Sequence, residues 1–85
     1  MYKVIWEDSA LEGLAKIDYT IAKKIKTKVE TYLVKDPLNL GKPLTHEFRG
    51  FYRYRCYDAY RVIYKVKKSE LLILVVKVGH RREIY

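Results

Sequence analysis

Hydrophobic and polar positions alternate along this chain in two different periods, which predict a strand, then helices, then further strands. Residues 2–6 carry Tyr, Val, Ile and Trp and predict a first strand. A first helix should follow, with Ser9 and Glu12 as a capping box in which each side chain accepts from the other residue's backbone N–H. Gly13 costs this helix about 1 kcal/mol relative to alanine, so we expect it to be short and to end near Ile17.

A second and longer helix is predicted to begin at Asp18, whose carboxylate can accept from the free backbone N–H groups of the first turn. Apolar residues then recur at the three- and four-residue spacing of a buried helical stripe. They are Ile21, Ala22, Ile25, Val29, Tyr32 and Leu33. The helix should end at Asp36, because Pro37 disfavours helical backbone in the residue before it. Residues 36–43 are predicted to form a connecting loop.

Strand patterns dominate the rest of the chain, as runs of β-branched and aromatic residues separated by turn-forming residues. The runs span residues 44–49, 51–57, 60–66 and 71–78. The last run is apolar on both faces, so it should be a central strand. The sequence therefore predicts one α+β domain over residues 1–85, in the order β-α-α-β-β-β-β, with two N-terminal helices packed on one face of a curved antiparallel sheet.

The chain is strongly basic. It contains 18 lysines and arginines against 10 acidic residues, which gives a net charge of +8 and a pI near 9.6. This balance favours a polyanionic partner, either a nucleic acid or an acidic protein; the alternative is that the charge only keeps the surface soluble.

Composition disfavours several other classes of function. The single cysteine, Cys56, cannot form an internal disulfide, and no Cys/His spacing resembles a zinc site, so we expect a reducing cytoplasm and no cofactor. The start of the chain is too charged for a signal peptide. The longest apolar run, residues 71–76, is far shorter than the roughly 20 residues of a membrane-spanning helix, so no membrane partner is expected.

All six arginines lie between positions 49 and 82, and their planar fork suits specific phosphate recognition better than lysine does. Alternation places Arg53 and Arg55 on one face of a predicted hairpin over residues 50–64. A two-residue turn would send Arg61 to the opposite face, whereas an odd-length connection that pairs Tyr57 with Arg61 gathers all three arginines. We predict the odd length, because Arg61 on the core face would be an uncompensated buried charge.

Other side chains near these arginines have two interpretations each. The tyrosines of the hairpin are Tyr52, Tyr54, Tyr57, Tyr60 and Tyr64. They can stack on RNA bases or pack within the sheet, and we favour packing for Tyr52, Tyr54 and Tyr64. The second helix carries Lys23, Lys24, Lys26 and Lys28, which either contact phosphates or form a solvated face. Cys56 points away from the arginines and should be buried rather than act as a nucleophile.

The C-terminal residues 78–85 carry a second candidate group for chemistry. His80 can exchange a proton near neutral pH, and the adjacent Arg81 can stabilise charge on a phosphate. Because Arg81 and Tyr85 lie in the same segment, we favour a functional role for His80. His46 has no such neighbours and is interpreted as structural. Arginines, a histidine and a tyrosine can together support metal-free phosphodiester cleavage, in which the ribose 2′-OH attacks its own phosphate.

Three segments resemble the RelE family of bacterial toxin-antitoxin systems, within the RelE/ParE superfamily. They are residues 50–55, 60–64 and 78–85. The resemblance spans the whole chain in order and length. It implies a small antiparallel sheet with two N-terminal helices, a toxin that enters the ribosomal A site and cuts mRNA there, and a cognate antitoxin that inhibits the toxin by wrapping its basic face.

The resemblance also implies roles for individual residues. Those expected to be catalytic are Arg53, Arg55, Arg61, His80, Arg81 and Tyr85. Further RNA contacts are expected from Lys23, Lys24, Lys28 and Arg82. The arginines would hold the phosphate and its transition-state charge. Some relatives have lysines on the hairpin strand, whereas arginine stays protonated and is a poor general base, so proton transfer would fall to His80 or Tyr85.

Two alternatives stay open. ParE-like toxins share the fold but poison DNA gyrase by binding, without cutting RNA. A basic RNA-binding domain without catalysis is the other alternative. The arginine set together with His80 and Tyr85 favours the nuclease, because a pure binding protein would not need it.

Overall fold

The computed structural model describes residues 1–84 and has the α+β class that the sequence predicts. Its strands are β1 (Lys3–Trp6), β2 (Lys42–Pro43), β3 (Tyr52–Cys56), β4 (Tyr60–Lys67) and β5 (Leu72–His80). Its helices are α1 (Asp8–Ala15), α2 (Tyr19–Thr31) and the short α3 (Pro37–Leu40), with 3-10 turns at Leu33–Lys35, His46–Phe48 and Lys68–Glu70. Within residues 1–84, no helix is long and apolar enough to cross a membrane.

The five strands form one sheet in the order β1-β5-β4-β3-β2, so β4 is central and β5 lies between β4 and β1. Neighbouring strands from β2 to β5 are antiparallel, as predicted, but β1 runs parallel to β5. No hairpin joins β1 to its neighbour, so nothing in the connection forces an antiparallel pair. The expectation of a central, doubly buried last strand is only partly right, because Ile73 and Val75 are buried while Leu72 and Leu74 are half-buried.

The segment between α2 and β3 differs from its prediction. The strand expected over residues 44–49 does not form; β2 has two residues, and Pro43 offers no N–H for a longer ladder. His46 takes left-handed backbone with a φ of 57°, which ends the extended conformation. The loop expected over residues 36–43 contains α3, which begins at Pro37, a position that proline suits.

One hydrophobic core lies between the helices and the sheet. Its helical residues include Ala10, Leu14, Ile25 and Val29, and its strand residues are Tyr54, Cys56, Val62, Tyr64, Ile73, Val75 and Val78. Tyr64 is fully buried, its hydroxyl donates to the Pro37 carbonyl oxygen at 2.6 Å, and its ring stacks on Tyr52. The packing predicted for Tyr52, Tyr54 and Tyr64 is confirmed. We call this side of the sheet the helix face and the other side the open face.

A β-bulge interrupts the pairing of β5 with β4. Tyr64 pairs with Val75, but its neighbour Ile63 pairs with Lys77, so Val76 is an extra residue in β5. Because side chains alternate between the two faces of a strand, one extra residue exchanges the faces of every residue that follows it.

The helix α1 covers the edge of β5 beyond the end of β1. The predicted capping box is wrong, since the Ser9 hydroxyl donates to the Val76 carbonyl oxygen at 2.5 Å, and the N-cap residue is Glu7, whose side chain makes no cap. Ser9 thereby satisfies a carbonyl group on the strand edge. The predicted N-cap of α2 is confirmed, because the Asp18 carboxylate accepts from the Thr20 N–H at 3.1 Å.

Gly13 marks the close approach of α1 to β5. A Cβ atom on Gly13 would lie 2.0 Å from the Val78 carbonyl oxygen, far inside normal contact. Glycine weakens the helix but lets it pack directly against the strand, so packing decides this position and helix propensity does not.

Gly13→Ala should destabilise the protein by about 1–3 kcal/mol, although alanine is the better helix former, because α1 would have to move away from β5. Urea unfolding followed by circular dichroism measures the change. Glu12→Ala, at the exposed neighbouring position, is the control and should stay within about 0.5 kcal/mol of wild type. A Gly13→Ala variant more stable than wild type would show that α1 does not need this close approach.

Candidate functional site

Arg53, Arg55 and Arg61 lie on the open face, near the turn that joins β3 to β4. Residues 57–59 form a three-residue connection, so Arg61 pairs directly with Arg55. The predicted odd-length turn is confirmed, but the predicted pairing of Tyr57 with Arg61 is wrong by two residues, because Tyr57 lies in the turn itself. Directly opposed residues share a face, so this register brings the three side chains to one surface.

Two turn residues adopt left-handed backbone. Tyr57 has a φ of 49° and Asp58 a φ of 60°, a conformation that aspartate adopts more readily than most residues. The Ala59 N–H donates to the Tyr57 carbonyl oxygen at 2.5 Å. This tight turn leaves the Asp58 carbonyl oxygen free to accept from a side chain.

Arg61 is nearly enclosed, with 8% of its surface exposed. Its Nη1 donates to the carbonyl oxygens of Asp58 at 2.5 Å and Tyr60 at 3.0 Å. Burial is the main cause that lowers the pKa of Arg61, followed by the positive charges of Arg55 and Arg53. The guanidinium group still stays protonated in any physiological solution, so this site has an excess of positive charge that a bound anion would relieve.

The chain after β5 returns to the same turn. The Arg81 N–H donates to the Ala59 carbonyl oxygen at 2.7 Å, and Arg81 Nη1 lies 3.5 Å from Asp58 Oδ2. The positive charge of Arg81 also acts on Arg61. We call Arg53, Arg55, Arg61 and Arg81 the arginine cluster. These four residues, predicted to belong to one site, all lie at the same end of the sheet.

His80 does not share the face of this cluster. It pairs with Tyr60, and the two rings meet edge to face with centroids 5.6 Å apart, so His80 lies on the helix face. Its Nδ1 accepts the N–H of Arg82, whose side chain is exposed, at 3.2 Å. Without the extra residue Val76, alternation would place His80 on the open face. Tyr85 lies outside the described residues, and its predicted role stays a prediction.

A groove lies beside the cluster on the open face and was not predicted. Its volume is about 910 Å³, and its apolar lining includes Phe48, Phe51, Ile63, Leu74, Val76 and Ile84. Ile84 is 1% exposed and packs closely against Gly79. A Cβ atom added to Gly79 would lie 3.0 Å from Ile84 Cδ1. Lys65 and Lys77 stand among the charged residues around it. The sequence signal was the apolar character of both faces of β5, which buries one face under the helices and leaves the other for this groove.

The lysines of α2 lie on the other side of the turn. Lys23 and Lys24 are exposed and, with Tyr57, line a shallow hollow of about 340 Å³. Lys28 is half-buried, and its Nζ lies 4.5 Å from the centre of the Tyr32 ring. The basic surface therefore continues from the turn to the first half of α2, while Lys28 packs against Tyr32, just beyond the end of the helix.

Comparison with known proteins identifies the family of this chain. A family model described as the ParE toxin of type II toxin-antitoxin systems, parDE, matches residues 4–85. The chain belongs to this toxin family. Toxin RelG of Mycobacterium tuberculosis (strain ATCC 25618 / H37Rv) is 29% identical over 84 residues, which are 99% of this chain and 95% of that protein.

Solved structures of related toxins have the same fold. In the toxin-antitoxin complex RelBE2 from Mycobacterium tuberculosis, the matching chain is 28% identical with a TM-score of 0.88, over 94% of this chain and 98% of that chain. A chain of the intact E. coli RelBE complex matches with a TM-score of 0.73 at 21% identity, over 93% and 95% of the two chains. The predicted membership of the RelE/ParE superfamily and the RelE-like fold are confirmed.

The cysteine of this ParE-family toxin lies in the core. Cys56 is 1% exposed, and burial, opposed by the charge of Lys28, raises the pKa of its thiol from 9.0 to about 11. A neutral, enclosed thiol is a poor nucleophile. The predicted burial of Cys56 is therefore confirmed.

Cys56 should react with Ellman's reagent about 100-fold more slowly in the native protein than in the urea-unfolded chain at pH 8, because its raised pKa removes most of the thiolate. The pKa of this thiol is higher in the folded protein than in the unfolded chain. Its contribution to the free energy of unfolding is therefore fully present below pH 9.0 and is lost as the pH rises through about 11. Cys56→Ala is the control, since it should lack this part of the pH dependence. Equal reaction rates in native and unfolded protein would contradict the burial.

Proposed function

We propose that this chain is the toxin of a toxin-antitoxin pair and acts as an endoribonuclease that cuts mRNA in the ribosomal A site. The observation that carries the proposal is the convergence of the arginine cluster at one end of the sheet, with Arg61 already held by two carbonyl oxygens. Membership of the toxin family and the 29% identity to Toxin RelG support the assignment as a toxin.

The proposed reaction is attack of the ribose 2′-OH on the adjacent phosphate. Negative charge grows on the phosphate oxygens as the bond to the 2′ oxygen forms and the bond to the 5′ oxygen breaks. Guanidinium groups that are in place before the RNA arrives stabilise this charge without reorganising. The four arginines of the cluster therefore hold the phosphate and its transition-state charge, and further RNA contacts come from Lys23, Lys24, Lys28 and Arg82.

Proton transfer is a separate requirement, because arginine stays protonated and cannot act as a base. We assign it to His80 or Tyr85. His80 lies on the helix face against Tyr60, so residues 80–84 have to rearrange when RNA binds if His80 is to reach the phosphate. Four backbone N–H groups hold this segment: that of Arg81 donates to the turn, that of Arg82 donates to the His80 ring, and those of Glu83 and Ile84 donate to the His80 carbonyl oxygen.

The proposal includes an inhibitory antitoxin that covers the basic face. RelE-like relatives occur in solved toxin-antitoxin complexes. The net charge of +8 favours a partner with acidic segments, whose carboxylates can pair with guanidinium groups through two parallel hydrogen bonds.

A second function is favoured by a different observation, the match to the ParE family model. ParE-like toxins bind and poison DNA gyrase without cutting RNA. In that case the apolar groove and the arginine cluster together form a protein-binding surface, with the cluster pairing to acidic side chains. No proton-transfer group is then needed.

Translation with purified ribosomes and a defined mRNA, run beside a DNA gyrase supercoiling assay, distinguishes the two functions. We expect mapped cuts in the mRNA and unaffected gyrase. Arg81→Ala should slow cutting about 100-fold, the typical loss when one preorganised donor to a developing charge is removed. Arg49→Ala removes an exposed arginine outside the cluster and should cut like wild type.

Two results would overturn the nuclease proposal. Intact mRNA together with inhibited gyrase would establish the second function in its place. Intact mRNA with unaffected gyrase would exclude both.

His80→Ala should slow cutting by at least about 100-fold, the contribution of a general acid or base, and should leave antitoxin binding unchanged. Tyr85→Ala should behave in the same way. His46→Ala is the matched control, because His46 is exposed and lies away from the cluster. Cleavage rates and calorimetric titration with the antitoxin give the two readouts. If His80→Ala reduces both equally, His80 acts only through its packing with Tyr60 and its bond to Arg82.

A further inference from the structure

Asp58 contacts two arginines of the cluster that belong to different parts of the chain. Its backbone carbonyl oxygen accepts from Arg61 Nη1 at 2.5 Å, and its carboxylate Oδ2 lies 3.5 Å from Arg81 Nη1. Within residues 1–84, it supplies the one carboxylate in salt-bridge contact with the cluster. Sequence reasoning treated Asp58 as a turn residue and gave it no part in the site.

The position of Asp58 depends on the turn and on the chain that returns to it. Asp58 takes left-handed backbone in the turn with an exposed side chain, and the adjacent Ala59 carbonyl oxygen accepts the Arg81 N–H at 2.7 Å. That backbone hydrogen bond brings the Arg81 side chain within reach of the Asp58 carboxylate. Without a carboxylate there, Arg81 would face the other guanidinium groups with no compensating charge.

We propose that Asp58 is a positioning residue of the nuclease site, whose carboxylate holds Arg81 in place until the phosphate of the RNA takes over that contact. This inference rests on the proposed function. The Asp58 side chain is 78% exposed and that of Arg81 is 51% exposed, so water surrounds this ion pair and little free energy is needed to break it. A phosphate can accept two parallel hydrogen bonds from the same guanidinium group and therefore replaces the carboxylate.

The alternative is that Asp58 serves the turn alone, through its left-handed backbone and its carbonyl oxygen. Asparagine separates the two roles, because it tolerates left-handed backbone and keeps the carbonyl group but has no charge. Glycine provides a second test, since it adopts positive φ without steric cost and has no side chain.

Steady-state mRNA cleavage on purified ribosomes is the test. Asp58→Asn and Asp58→Gly should both lower KM about twofold, because no carboxylate competes with the phosphate for Arg81, and should leave kcat unchanged, because the phosphate itself holds Arg81 in the complex; the change lies within the range of one exposed ion pair. Glu70→Gln makes the same charge change in the β4–β5 turn and is the matched control, with both constants expected to stay at wild-type values.

Unchanged constants for Asp58→Asn would overturn the proposal, and so would a lower kcat with a higher KM, which indicates general damage to the site. NMR relaxation of the Arg81 Nε–H group keeps the test independent of catalysis. The group should become more mobile in Asp58→Asn than in wild type, and equal mobility would also overturn the proposal. If the wild-type protein cuts no mRNA, the proposed function fails, while the NMR result still decides whether Asp58 holds Arg81.

Discussion

The register between β3 and β4 is the constraint on which the open face depends. Side chains alternate between the two faces of a strand, so one residue more or fewer in the turn would move Arg61 to the helix face, away from Arg55. The three-residue turn avoids this outcome. It also supplies the carbonyl oxygen of Asp58, which accepts a hydrogen bond from the Arg61 guanidinium group. The same turn therefore determines the face on which Arg61 lies and partly compensates its positive charge.

Much of the fold follows from local patterns. The buried stripe of α2, its N-cap at Asp18 and the alternation along β3 and β4 are properties of short segments, and periodicity is enough to find them. The features that were missed depend on contacts between distant segments. The parallel pairing of β1, the two-residue β2 and the bond from Ser9 to β5 depend on which strand edges need a partner, and the pattern within one segment does not contain that information.

For the candidate site, sequence reasoning identifies the side chains better than the directions in which they point. The arginine cluster follows from alternation together with the cost of placing the Arg61 charge uncompensated on the core face. The face of the sheet on which His80 lies depends on the extra residue Val76, which belongs to a run that is apolar on both faces. Such a run has no alternation of hydrophobic and polar residues, so the sequence pattern does not reveal a bulge within it. The groove beside the cluster was missed because the apolar character of both faces of β5 was interpreted as burial on both faces.

The separation of His80 from the cluster connects the structure to the two functions considered for this toxin. Four guanidinium groups bind anions, and by charge alone they suit the phosphates of RNA as well as the carboxylates of a protein. A proton-transfer group is what distinguishes cleavage from binding, and the bulge at Val76 places one of the two candidates, His80, on the opposite face. The position of residues 80–84 relative to the turn therefore decides whether His80 can take part in cleavage, and the number of arginines does not.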